Sequence, residues 1–108
     1  MNIERYGIYL ADLNPTHGSE LNKVRPVVVI SMDEMNAALE TVVVCPLTTR
    51  LRPRWRSRIQ ISCASKKAEI AVDQIRTLSK SRFQKRIDTL SENSALQLRQ
   101  LISEMYGE

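Results

Sequence analysis

Several things are scarce in this chain, and each scarcity removes a class of function. Among its 108 residues there is one histidine, His17, and only two cysteines, Cys45 and Cys63, in no metal-like spacing. A zinc site draws its ligands from clustered Cys and His, so neither a structural nor a catalytic metal is expected. Cys45 lies inside the run Val42-Val43-Val44-Cys45 and reads as a small core residue. No apolar stretch approaches the length of a membrane-spanning helix, and the start Met-Asn-Ile-Glu-Arg lacks the apolar region of a secretory signal. A cytoplasmic protein without membrane association is the expectation. Repeats, low-complexity segments and linkers are also missing, so residues 1–108 read as a single domain with one hydrophobic core.

What is present is charge, unevenly placed. The net charge of +4 conceals three blocks. Residues 1–49 carry three basic and six acidic side chains; residues 50–90 carry twelve basic and three acidic; residues 91–108 carry one basic and three acidic. A positive field concentrated in the middle of the chain raises the local concentration of anionic partners such as nucleic acid or an acidic peptide.

Hydrophobic patterning predicts mostly strands. Residues 6–13 read as a strand centred on Tyr9 and Leu10, broken by Asn14-Pro15-Thr16-His17-Gly18. Residues 24–31 read as the clearest strand, with the unbroken apolar run Val27-Val28-Val29-Ile30 predicting cover on both faces. Residues 33–39 suit a short helix, and 41–47 a second buried strand ended by Pro46 and Thr48-Thr49. Residues 58–62 and 69–78 read as further strands, 79–86 as a charged turn, and 86–90 as a short final strand. Leu98, Leu101, Ile102 and Met105 fall at helical spacing, with Ser91 or Ser94 as N-cap; Ser94 with Gln97 fits a capping box. Short strands and one terminal amphipathic helix predict a mainly β (α+β) domain, a small curved antiparallel sheet or barrel.

Arg25 stands at the mouth of the most apolar strand. A guanidinium does not shed its proton, so it needs a carboxylate such as Glu20 or Asp73, or an anionic ligand. Thr48 and Thr49 follow a buried strand, where a turn exposes their hydroxyls. Hydroxyls beside a guanidinium suit a phosphodiester; the plainer alternative for Thr48 is a turn hydroxyl bonding local backbone. Asp73-Gln74, read as lying within a strand, must hydrogen-bond either a neighbouring loop or a base edge. His17, in a turn, is an exposed bystander or an acid–base group. Arg50, Arg52, Arg54, Arg56 and Arg58 alternate around Trp55, the only tryptophan. Extended, they would share one face; as a loop, which Pro53 favours, they would form a cationic arm for phosphates, with Trp55 stacking on a base or packing on the core.

Together these residues carry a resemblance. Asn14-Pro15-Thr16-His17-Gly18-Ser19-Glu20, Val24-Arg25-Pro26-Val27-Val28-Val29, Pro46-Leu47-Thr48-Thr49 and Asp73-Gln74-Ile75-Arg76-Thr77 are similar in order and spacing to the MazF/PemK (Kid) family of toxin endoribonucleases. The resemblance implies the CcdB/PemK-like toxin fold, an SH3-like barrel, in a homodimer. It implies sequence-specific cleavage of single-stranded RNA without a metal or other cofactor, leaving 2′,3′-cyclic phosphate and 5′-hydroxyl ends and halting translation. It also implies a cognate antitoxin with an acidic disordered tail, and operator DNA contacted through the toxin–antitoxin complex. Carried over by position, Arg25 and Thr48 would be catalytic. Arg5, His17, Ser19, Glu20, Thr49, Asp73 and Gln74 would bind substrate.

The chain also departs from the family. It has Arg5-Tyr6-Gly7 where Arg-Gly is usual, and Ser19 where some members carry a catalytic histidine, so it resembles the branch relying on arginine and threonine. A gyrase-directed toxin of the CcdB type would end in Trp-Gly-Ile, whereas this sequence ends Met105-Tyr106-Gly107-Glu108. A non-catalytic nucleic-acid-binding module would account for the basic segment but needs no special role for Thr48.

Overall fold

The apolar runs at 27–29 and 42–45 require cover on both faces, and the fold is arranged to supply it. The computed structural model describes residues 1–14 and 23–107. Among these, the strands are β1 (Gly7–Asp12), β2 (Val24–Val29), β3 (Thr41–Thr48), β4 (Arg58–Cys63), β5 (Lys66–Ala71), β6 (Arg76–Ser79) and β7 (Phe83–Thr89). Helix α1 (Asp33–Ala38) links β2 to β3, and helix α2 (Glu92–Tyr106) follows β7. The sheet runs β4-β5-β3-β2-β1-β7, all antiparallel, with β6 pairing β3 off that path.

Strand β3 is the centre. One edge meets β2; the other meets β6 through residues 41–44 and β5 through Leu47 and Thr48. Pro46 does not end β3, as the sequence led us to expect, but lies inside it. The carbonyl of Val43 bonds Ile30 on the β2 side, so the backbone of Pro46, three residues on, faces the opposite edge. There the β6 ladder has stopped at Val44 and the β5 ladder has not begun. The missing N–H of proline therefore costs no ladder bond.

The same gap corrects the expected strand over 69–78. The chain leaves β5 at Ala71, makes a 3₁₀ turn over Val72–Gln74, and re-enters the edge of β3 as β6. Ile75 N–H closes that turn on Val72 O. The 79–86 segment is also mostly strand: only Lys80–Arg82 form a turn before β7 begins. Two register shifts in the β1–β7 ladder, between Ile8 and Tyr9 and between Leu10 and Ala11, curl the sheet toward a half-barrel.

Alternation places Ile8, Val28, Cys45, Leu47 and Ile70 on one face, where Ala95 and Leu98 of α2 are buried against them. Tyr9, Val27, Val29, Val44 and Leu78 fill the other face, and Phe83 meets Tyr9 edge-on at 5.4 Å. Leu101, Ile102 and Met105 complete the predicted stripe on α2. The N-cap is Ser91, whose hydroxyl accepts from Ser94 N–H at 3.1 Å, not Ser94 itself. None of the described helices is long and apolar enough to cross a membrane.

Leu98→Ala should cost about 2–5 kcal/mol in denaturant unfolding, since it empties a fully buried position. Leu96→Ala, on the 45% exposed face of the same helix, should stay within about 0.5 kcal/mol.

Candidate functional site

Strands β2 and β3 bring Arg25, Thr48 and Thr49 to one cavity of about 460 Å³. Val24, Arg25 and Pro26 form one wall, and Leu47, Thr48 and Thr49 the next. Arg25 is half-buried, paired across the ladder with Ala11. Thr48 ends β3 at only 5% exposure. Its Oγ accepts Arg50 N–H at 3.1 Å, which leaves the hydroxyl proton to donate elsewhere. The local turn bond expected of Thr48 and its placement beside Arg25 are both present.

The turn between β4 and β5 forms the third wall, with Cys63, Ala64 and Lys66. Ala64 and Ser65 have φ of 49° and 69°, a left-handed conformation costing about 1–2 kcal/mol for each L-residue. Asp88 Oδ2 accepts Ala64 N–H at 2.9 Å and helps hold the turn. That bond, with one from Thr89 N–H, keeps the Asp88 carboxyl below its usual range. Burial, reinforced by Asp88, pushes the Cys63 thiol up. Burial raises Cys45 further, to about 12. Neither is a thiolate nucleophile at neutral pH.

Other predicted residues fall elsewhere. Asp73 and Gln74 sit in the 3₁₀ turn after β5, not in a strand, and outside the wall of this cavity. Burial opposes ionisation of Asp73, but hydrogen bonds from Arg58 and Ser57 outweigh it and lower its pKa. Arg5 is held by Ile30 O through Nε at 2.9 Å and lines a second cavity with Tyr6 and Arg99. His17, Ser19 and Glu20 lie outside the described residues. Among the described residues no group of three or more His, Cys, Asp or Glu side chains is placed to hold a metal ion.

Sequence reasoning missed a buried ion-pair cluster next to the site. Glu69 is fully buried and lies across the ladder from both Thr48 and Gln60. It accepts from Arg58 Nη1 at 3.2 Å, from Gln60 Nε2 and from the backbone N–H of Arg52. Arg58 also donates through Nε to Asp73 at 2.9 Å. The five arginines therefore neither share a face nor form a free arm. Residues 52–57 are turns: Arg58 points inward at 6% side-chain exposure, and Arg56 pairs with Glu104. The available signal was Glu69 itself, a carboxylate leading straight into Ile70-Ala71-Val72 in the most basic block of the chain.

Arg58→Ala should destabilise the fold by about 3–5 kcal/mol, because it leaves the buried Glu69 carboxylate with hydrogen bonds but no counter-charge. Arg56→Ala, which removes an exposed pair, should cost at most about 1 kcal/mol. Asp73 and Asp88 both have carboxyl pKa values lowered in the folded state. Their stabilising contribution is thus full above the unfolded carboxylate pKa and is lost as pH falls through the folded values. Unfolding curves should show stability falling in acid, and Asp73→Asn should make that fall shallower.

The profile of the family described as PemK-like, MazF-like toxin of type II toxin-antitoxin system matches residues 4–106. The endoribonuclease MazF of Staphylococcus epidermidis is 36% identical over 101 residues, covering 89% of this chain and 84% of that protein. The fold is similar to MazF from Deinococcus radiodurans, with a TM-score of 0.88 at 17% identity over 100% of this chain and 99% of that one. It is also similar to a mycobacterial endoribonuclease in complex with its cognate antitoxin, with a TM-score of 0.80 at 19% identity over 97% and 95% of the two chains. With its motifs, its curled sheet and a profile match over nearly its whole length, this chain belongs to the PemK-like, MazF-like toxins of type II toxin–antitoxin systems.

Proposed function

We propose that this chain cuts single-stranded RNA at short sequences, with Arg25 and Thr48 as its catalytic residues and no metal in the reaction. The observation that carries the reading is their convergence on one cavity from two adjacent strands, with Thr48 free to donate its hydroxyl proton. In the reaction the 2′-oxygen attacks the adjacent phosphorus, and the P–O2′ bond forms as the P–O5′ bond breaks. The products are a 2′,3′-cyclic phosphate and a 5′-hydroxyl. Arg25 neutralises charge growing on the non-bridging oxygens and Thr48 donates a hydrogen bond to it. Lys66, at the rim, adds to the field that draws the backbone in.

The 2′-hydroxyl proton goes to a base, and the departing 5′-oxygen takes a proton from the conjugate acid of that base or from water. Arg25 is too weak a base for the first step. Asp73, with its pKa lowered and its carboxylate paired to Arg58, is poorly suited to it. The base is assigned to Glu20 or His17, and Ser19 and Thr49 are assigned as substrate contacts. Gln74, and Arg5 from the second cavity, are assigned to the RNA flanks. The 108 residues act as one domain, in a cytoplasmic homodimer. A cognate antitoxin neutralises the toxin by laying an acidic tail over the basic middle of the chain, and operator DNA is met through that complex.

The test mixes purified chain, EDTA and a long RNA, and maps new 5′ ends by primer extension. Cuts at a few discrete sequences are expected; uniform or absent cleavage would refute the proposal. Arg25→Ala should still bind RNA and cut about 10²–10³-fold more slowly. A DNA oligonucleotide of the same sequence, lacking the 2′-hydroxyl, should stay intact.

A further inference from the structure

The chemistry above leaves unused a surface made by Arg50, Arg52, Arg54 and Trp55. It begins one residue beyond Thr49 of the cavity wall and ends where β4 begins at Arg58. The turn is fixed in place at both ends. Glu69 holds the backbone N–H of Arg52, and the guanidiniums of Arg58 and Arg52 lie 4.6 and 5.6 Å from the centre of the Trp55 ring, which stays half-exposed. Nearby carboxylates are already engaged: Glu104 with Arg56, and Glu69 and Asp73 with Arg58. Arg50, Arg52 and Arg54 are exposed and have no carboxylate within ion-pair distance among the described residues. Trp55 is 49% exposed, an unusual cost for a ring of its size.

The geometry points to a second RNA-binding surface here: the single strand adjoining the cleaved phosphate leaves the cavity past Thr49, sets its phosphates against Arg50, Arg52 and Arg54, and stacks a base on Trp55. This rests on the ribonuclease reading and extends it beyond the cut site. Arginine's planar donors match phosphate oxygens, and an aromatic face accepts any unpaired base. An acidic peptide would satisfy the cations but leave the exposed ring unused, so RNA fits the whole surface better.

The test uses two RNAs around a mapped cut, one short and one extended by about eight nucleotides on each side, within the range of single-strand binding sites. Wild type should cut the extended RNA with the higher kcat/KM. Trp55→Ala should lower the extended-to-short ratio by about five- to a hundred-fold, the range for loss of one stacked base. Trp55→Phe, which keeps a ring, should restore most of it. Arg52→Ala with Arg54→Ala should lower the ratio and flatten its logarithmic salt dependence by about 0.7 for each phosphate no longer neutralised. The Arg52 change keeps the backbone N–H that Glu69 holds, and melting curves of the Trp55→Phe and double arginine variants should match wild type. An unchanged ratio, or equal loss on both RNAs, would overturn the inference. So would loss of binding to an acidic antitoxin peptide with the ratio intact, which would assign the surface to that peptide. A wild type that cuts neither RNA would refute the ribonuclease reading instead.

Discussion

A carboxylate with no exposed surface is the constraint around which this molecule is arranged. Glu69 lies where β3, β4 and β5 meet, and burial of an unanswered charge there would cost more than most single interactions supply. Its donors come from three places: a side chain across the ladder, a guanidinium at the start of β4, and a backbone amide in the preceding turn. Satisfying it fixes the path of the chain after Thr48. Arg58, drawn inward by Glu69, also takes hold of Asp73 and so ties the 3₁₀ turn to the same point. The edge of the cavity and the basic turn thus share one electrostatic anchor.

Much of this was legible in the sequence where a single force dominated. The apolar runs of β2 and β3 gave strands covered on both faces, as burial requires, and the stripe on α2 gave the helix and its packing face. Arg25 at the start of β2 and Thr48 at the end of β3 stood where the apolar runs placed them, and both line one cavity. Legibility failed where two local signals competed. Nothing in Ile70-Ala71-Val72 announces a turn, since neither glycine nor proline marks it; the break exists because β3 receives two strands on one edge. Pro46 looked like a stop because the sequence cannot show that its missing donor faces a gap. Arg58 was grouped with its arginine neighbours, and only the tertiary position of Glu69 separates it from them.

The cavity is assembled from ends rather than middles. The start of β2, the end of β3 and the tight turn from β4 to β5 each contribute a wall. Strand centres carry the core and leave no room for polar chemistry, whereas strand ends expose backbone and side chains on a rigid base. The left-handed Ala64 and Ser65 show that the scaffold tolerates some strain at this rim.

The bond between Glu69 and the amide of Arg52 is indifferent to the side chain at position 52, because the donor belongs to the main chain. Any residue that keeps an N–H there leaves the root of the turn where it is; only proline would not. Relatives sharing this anchor are therefore at liberty to exchange arginines for neutral or acidic residues along the turn without rebuilding the fold. Variation in what the outer rim prefers is separated, by one main-chain hydrogen bond, from the requirement that Thr48 stay in place.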